Sequence, residues 1–135
     1  MSGKVFLDTN VIIYAHTDHD ITKQGKAQSI IIEKDTVIST QVLQETANIL
    51  KKKLKQEYAD IRKVLTDLVS NNYVHTNNVS NVLKACAIAG KYGFSFYDSL
   101  IISAALETGA EILYSEDMQH DQLIENKLRI INPFV

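Results

Sequence analysis

The sequence predicts an α/β fold with a parallel sheet covered by helices on both faces, and three observations carry that reading. Five short runs rich in β-branched and apolar residues are spread along the chain: KVFLD, TVIST, YVHT, EILYS and LRIIN. Segments of helical length and periodicity separate them, which is the pattern of strand–helix–strand crossovers. One proline and five glycines in 135 residues leave little room for linkers or disorder.

Taken in order, KVFLD (4–8) runs into Asp8-Thr9-Asn10, a buried strand that ends on a helix N-cap. VIIYA (11–15) continues as a short helix, and the polar run HTDHD (16–20) breaks it. Lys23–Glu33 places Ala27, Ile30 and Ile31 at helical spacing. TVIST (36–40) is the second strand. It feeds a helix over 41–55 whose Leu43, Ala47, Leu50 and Leu54 form an apolar stripe, widened by Val42 and Ile49. A further amphipathic helix from Gln56 to Val69 presents Ile61, Val64, Leu65 and Leu68 before Asn71-Asn72 interrupt it. YVHT (73–76) is a short third strand. Ser80 is the expected cap of a helix running to Tyr92, with Gly93 as its stop. In 94–109, Asp98 sits at or near an N-cap, Leu100–Leu106 are almost wholly apolar and Gly109 ends the helix, so this helix is buried on most sides. EILYS (111–115) and LRIIN (128–132) complete the strands. No repeat, low-complexity stretch or boundary divides the chain, which reads as one domain over 1–135.

An apolar fraction of 45% and a charged fraction of 22% are those of an ordinary globular protein. The net charge of -2 excludes a strongly cationic body, so a nucleic acid would have to meet a local basic patch. Cys86 is the single cysteine, which rules out an internal disulfide and suits a reducing compartment. The opening MSGKVFLDTN lacks the apolar core of a signal peptide, and no apolar run approaches the ~20 residues of a membrane span. The expectation is a cytoplasmic protein with no membrane contact.

Chemistry in an open parallel sheet gathers outside the carboxyl ends of its strands. Asp8 ends the first strand, Glu45 lies in the early turns of the helix after the second, and Asp117 follows the fourth. Asp98 begins the apolar helix that precedes the fourth strand. Glu45 lies about 60° from Val42 and about 40° from Ile49 around its helix, at the margin of the apolar stripe. Singly, each acid has a plainer reading: Asp8 and Asp98 as N-caps, Glu45 as a solvated helix residue, Asp117 as a turn residue. Their coincidence on one rim is what points to a shared site. Clustered carboxylates repel one another, and a hard divalent ion such as Mg²⁺ or Mn²⁺ relieves that conflict. Such an ion orients phosphodiesters and acidifies water, so phosphodiester hydrolysis is the expected reaction class.

FLDTNVIIYA, the QxxxE stretch around Glu45, FYDSLIISAALETGA and LYSEDMQHD, in that order, resemble the signature segments of PIN domains, over Val5 to Asn132. Similar domains occur as VapC-like toxins of toxin–antitoxin pairs and as RNA-processing nucleases. The resemblance implies a three-layer α/β/α sandwich with a five-stranded parallel sheet in the order 3-2-1-4-5, and Mg²⁺- or Mn²⁺-dependent endoribonuclease activity. It carries the family's four acids over to Asp8, Glu45, Asp98 and Asp117; the mechanism expected from them has Asp8, Asp98 and Asp117 holding one or two ions directly or through water, with Glu45 positioning or deprotonating the attacking water. Ser115 matches the small hydroxyl residue two positions before the last acid. Asn10 matches a polar residue beside the first aspartate, with a bond to a metal-bound water or to the substrate phosphate as its role. An antitoxin partner and a homodimer are in keeping with the resemblance, although the residues themselves do not make the chain a toxin.

Two positions stay open. Glu116 adjoins Asp117 and competes for its role, and Asp121 stands where many relatives have glycine, either as an outer ligand or facing solvent. His16 and His19 in a loop make a poor zinc pair. Lys51, Lys52, Lys53 and Lys55 read as helix-dipole and solubility charges, or as a guide for a longer RNA backbone. Tyr14, Phe94, Phe96 and Tyr97 default to core packing. The principal alternative is a non-catalytic RNA- or protein-binding module on the same fold. A phosphotransfer receiver would need an adjacent acid pair near the first strand. A haloacid-dehalogenase-type phosphatase would need an aspartate where Asn10 stands.

Overall fold

The computed structural model describes residues 3–135; the first two residues of the expected 1–135 domain lie outside the described residues. In chain order the elements are β1 (Lys4–Leu7), α1 (Thr9–Ala15), α2 (Ile21–Glu33), β2 (Asp35–Ser39), α3 (Thr40–Lys52), α4 (Tyr58–Asn71), β3 (Tyr73–His75), α5 (Val79–Tyr92), α6 (Phe96–Glu107), β4 (Ile112–Tyr114), β5 (Leu123–Ile124) and β6 (Leu128–Ile131).

The strands form one sheet in the order β3-β2-β1-β4-β6-β5. β1 is central, with Val5 opposite Thr36 of β2 and Phe6 opposite Leu113 of β4, both pairings parallel. β2–β3 and β4–β6 are parallel as well. The five strands expected from the sequence therefore stand in the expected order. The correction is a sixth: β5, two residues long, runs antiparallel to β6 with Ile124 opposite Leu128. It escapes a reading by pattern because two residues carry no periodicity. Crossovers step one way from β1 to β3 and return from β3 to β4. Right-handed connections therefore put α1–α4 on one face and α5–α6 on the other.

The core follows the apolar patterning. Phe6 and Leu7 of β1, Ile38 of β2, Leu113 of β4 and Ile130 of β6 are fully buried. Helix α6 is buried continuously from Ser99 to Ala105, as its near-unbroken apolar run requires. Each such side chain contributes roughly 1.5–3 kcal/mol by leaving water.

Helix α2 starts two residues before its expected start, α4 is displaced two residues along the chain from its expected bounds, and three other helix ends depart from expectation. Ser95, rather than Asp98, caps α6: its hydroxyl accepts the Asp98 amide, which leaves Asp98 in the first turn with its carboxylate free of capping. Asn78, rather than Ser80, caps α5 through a reciprocal box with Asn81. Helix α3 stops at Lys52, so Lys53 is its cap and Lys55 lies beyond it with φ +56°. Gly93 ends α5 as expected, in the left-handed conformation (φ +82°) that glycine adopts without penalty.

Candidate active site

β1 delivers Asp8 to the carboxyl edge of the sheet, where its backbone becomes the N-cap of α1. One carboxylate oxygen accepts the Thr9 amide at 2.7 Å, and the other accepts the Ser115 hydroxyl at 2.8 Å. Ser115 is wholly buried and directly follows β4, so this bond ties the ends of two neighbouring strands together. Burial pushes the Asp8 carboxyl up to about 6, against the lowering effect of these two bonds, and the negative charges of Glu45 and Asp98 push it the same way.

Glu45 projects from α3 and is held at both oxygens. The Thr9 hydroxyl donates to Oε1 at 2.5 Å, and the Gln41 amide donates to Oε2 at 3.0 Å. Gln41 lies one helical turn before Glu45, the spacing at which helix side chains meet. The same Gln41 Nε2 donates to the Tyr97 carbonyl at 3.1 Å, linking α3 to the first turn of α6. Asp98 sits in that turn, half-buried; burial raises its carboxyl first, and Asp117 and Glu45 raise it further.

Asp117 is exposed on the loop after β4, where Oδ2 accepts the Asn10 side-chain amide at 3.1 Å. The Asn10 side-chain oxygen Oδ1 accepts the Glu116 backbone amide at 3.3 Å, so one asparagine of α1 fixes the loop at two points. Glu116 turns the other way. It pairs with Lys23 of α2 and accepts the Tyr14 hydroxyl at 2.8 Å. Burial acts to raise its carboxyl, but the bonds from Lys23 and Tyr14 outweigh it and the net shift is downward.

Asp8, Glu45, Asp98 and Asp117 thus line one cavity of about 750 Å³, together with Asn10. Glu116 and Asp121, the two positions left open by the sequence, do not line it. Asp121 pairs with Arg129 at 3.0 Å and holds a left-handed backbone (φ +70°), which gives a physical reason for glycine to suit that position. His120 faces a separate cavity of about 760 Å³ between α2 and the C-terminal segment, and His75 is buried against Asn81 at 2.8 Å. Of the aromatic residues expected in the core, Phe96 and Tyr97 are exposed and pack edge to face on each other, because Ser95 starts the helix just before them.

The ion pairs among the described residues join other groups, so no lysine or arginine neutralises the four carboxylates. The oxygens of Asp8, Glu45 and Asp117 are oriented by neutral hydroxyl and amide donors instead. A hard divalent cation fits this donor set in kind. As the side chains stand, no three acidic, histidine or cysteine groups among the described residues close on a common point. Gathering around an ion therefore requires rotation, and the freest to rotate are exposed Asp117 and half-buried Asp98. Thr9 and Gln41 were not singled out by sequence reasoning as partners of Glu45. The four-residue interval from Gln41 to Glu45 was the available signal for one, and Thr9 had none beyond its place next to Asp8.

Comparison with known proteins bears on the family and the fold. A family model described as PIN domain matches residues 5–125. No curated protein matches the chain significantly in sequence. Among solved structures, VapC20 of Mycobacterium tuberculosis, described as a sarcin-ricin loop cleaving toxin, superposes with a TM-score of 0.70 at 19% identity, covering 84% of this chain and 89% of that one. VapBC2 of Rickettsia felis, bound to a DNA fragment from its promoter, gives 0.68 at 18% identity, covering 96% and 99%. A toxin–antitoxin complex from Klebsiella pneumoniae gives 0.71 at 16% identity, covering 96% and 97%.

Proposed function

The chain belongs to the PIN-domain family, and on that footing we propose that it is a divalent-metal-dependent endoribonuclease acting as the toxin of a toxin–antitoxin pair. The observation that carries the reading is a single cavity lined by four carboxylates from separate parts of the chain, none of them matched by a cationic side chain. Asp8, Asp98 and Asp117 hold Mg²⁺ or Mn²⁺ in this proposal. When bound, such an ion supplies Lewis-acid stabilisation of charge on the phosphodiester and its leaving oxygen.

The chain's own groups supply the rest. Glu45, fixed at both oxygens by Thr9 and Gln41, orients the attacking water and takes its proton. Ser115 and the Thr9 amide lock Asp8 in one rotamer, so the buried carboxylate loses little freedom when it engages a ligand. Asn10 holds the Asp117 loop against α1. Lys23 and Tyr14 draw Glu116 away, which leaves Asp117 as the acid of that loop that meets the cavity.

RNA as substrate and an antitoxin as partner are supported by the likeness to VapC20 and to two toxin–antitoxin assemblies, and a homodimer is the assembly proposed with them. A small antitoxin-like reading frame beside the gene would add to that support. The decisive measurement is cleavage of labelled RNA by the purified protein with Mn²⁺, with EDTA, and with Asp8→Asn in parallel. Cleavage confined to the metal-loaded wild type is the expected result. RNA binding without cleavage in every arm would replace the nuclease with a non-catalytic binding module.

A further inference from the structure

The cavity does not end at the carboxylates. It continues along α3 past Asn48 and Ile49 to Lys53 and Leu54, with Ile13 of α1 and His19 of the following loop on its other side. Asn48 and Ile49 of α3 and Lys53, its C-cap, follow Glu45 by three, four and eight residues, so they lie on its side of the helix. At 1.5 Å of rise per residue, Lys53 stands about 12 Å along the helix from Glu45. That is too far for a phosphate at the acids and within reach of a neighbouring one.

Two chemistries meet in this extension. Ile13, Ile49 and Leu54 are half-buried and give it an apolar floor, while Asn48, His19 and Lys53 are exposed at its edge. Lys53 is the one lysine lining the cavity, and it takes part in none of the ion pairs among the described residues. Of the other lysines, Lys51 donates to the Gln56 carbonyl and sits over the Tyr58 ring, Lys23 pairs with Glu116, and exposed Lys52 and Lys55 do not line the cavity. An apolar floor, an amide and an unpaired cation together match one nucleotide: a base to lie on the floor, a base edge for the amide and a phosphate for the cation.

We propose that this extension is a subsite for a nucleotide flanking the scissile phosphate of single-stranded RNA, with Lys53 on its phosphate and Asn48 reading its base. The proposal rests on the reading of the acidic end as the RNA-cleaving site. Asn48 is then a specificity-determining residue, because an amide offers a donor and an acceptor to a base edge and so distinguishes bases, whereas Lys53 acts on every sequence alike.

The test is binding of fluorescein-labelled adenosine, cytidine and uridine RNA homohexamers by fluorescence anisotropy across a salt series. Wild type, Lys53→Ala, Asn48→Ala and Lys84→Ala are compared, the last altering an exposed lysine of α5 outside the cavity. Lys53→Ala is expected to weaken all the oligomers alike and to lower the slope of log K against log salt by about one. Asn48→Ala is expected to shrink the spread of affinities among the oligomers about fivefold or more, and Lys84→Ala to leave both unchanged. Wild-type slope and wild-type ranking in the first two variants, or no RNA binding by wild type, would overturn the subsite. The cleavage assay is scored separately. Oligomer binding in the expected pattern with no cleavage in the Mn²⁺ assay on labelled RNA would leave a nucleotide-binding site standing and remove the nuclease. Cleavage with unaltered binding in the variants would do the reverse.

Discussion

Asp8 is buried with a carboxyl pKa of about 6, against 3.8 for the free group, and desolvation is the leading cause. The folded protein therefore binds a proton there more tightly than the unfolded chain does. Without metal, the Asp8 contribution to stability is fully present below about pH 4, is lost as pH rises through 6, and stays lost above it. The deficit reaches up to about 3 kcal/mol. Asp8→Asn is expected to abolish RNA cleavage and yet to raise the Tm of metal-free protein at pH 7.5 by several degrees, a gain that fades towards pH 4. Thermal melts across pH in EDTA check this; a variant less stable than wild type at every pH would contradict it. Glu45→Gln keeps the shape of the side chain but removes its ability to take a proton. Its expected signature is a kcat lowered about 10²–10⁴-fold with RNA binding intact, read by single-turnover cleavage against anisotropy.

Helix ends decide where the remaining acids point. Ser95 caps α6 at its hydroxyl, so Ser95→Ala is expected to cost about 1 kcal/mol in a urea melt, and to lower activity because the turn that frays carries Asp98. Gln41 joins Glu45 to the backbone at Tyr97, and its own carbonyl oxygen is buried without a partner. Gln41→Met removes that orphaned acceptor together with the two bonds. Stability is expected to change by less than about 1 kcal/mol while turnover falls about tenfold, and equal losses of both would refute the link. Much of this level was legible beforehand, since periodicity and Gly93 marked the helices and Asp8 was read as a cap. The caps Ser95 and Asn78 were not, because each helix start holds more than one residue able to cap it (Ser95 and Asp98; Asn77, Asn78 and Ser80) and only the folded backbone decides which one turns its oxygen inward. The partners of Glu116 were equally hidden, as Lys23 lies 93 residues away in sequence.

The order of the sheet explains why acids so distant in sequence reach one rim. β1 and β4 are neighbours, so Asp8 and the Ser115–Asp117 loop emerge side by side, while α3 follows the strand on the other flank of β1. This convergence was readable from the alternation of strands and helices together with the place of each acid in its segment. The cavity extension towards Lys53 was not, because it depends on α3 ending two turns beyond Glu45. An ion bound by the folded state alone stabilises it by mass action. Mn²⁺ at about 100 times its Kd is expected to add roughly 2.7 kcal/mol to wild type and little to Asp8→Asn, as differential scanning fluorimetry with an EDTA reversal would register. Equal shifts in both proteins would place the ion elsewhere.

One consequence follows from β5, the two-residue strand that runs against its neighbour at the margin of the sheet. A wholly parallel sheet would finish on β6 with its amides and carbonyls bare to solvent, an invitation for another chain to add on. Here that flank is closed by a short reversed ribbon, and the far flank offers only the three residues of β3. Growth by strand addition has no runway on either side. Association between copies of this chain therefore falls to side-chain surfaces rather than to strand edges, which keeps the acidic rim outside any backbone-to-backbone contact.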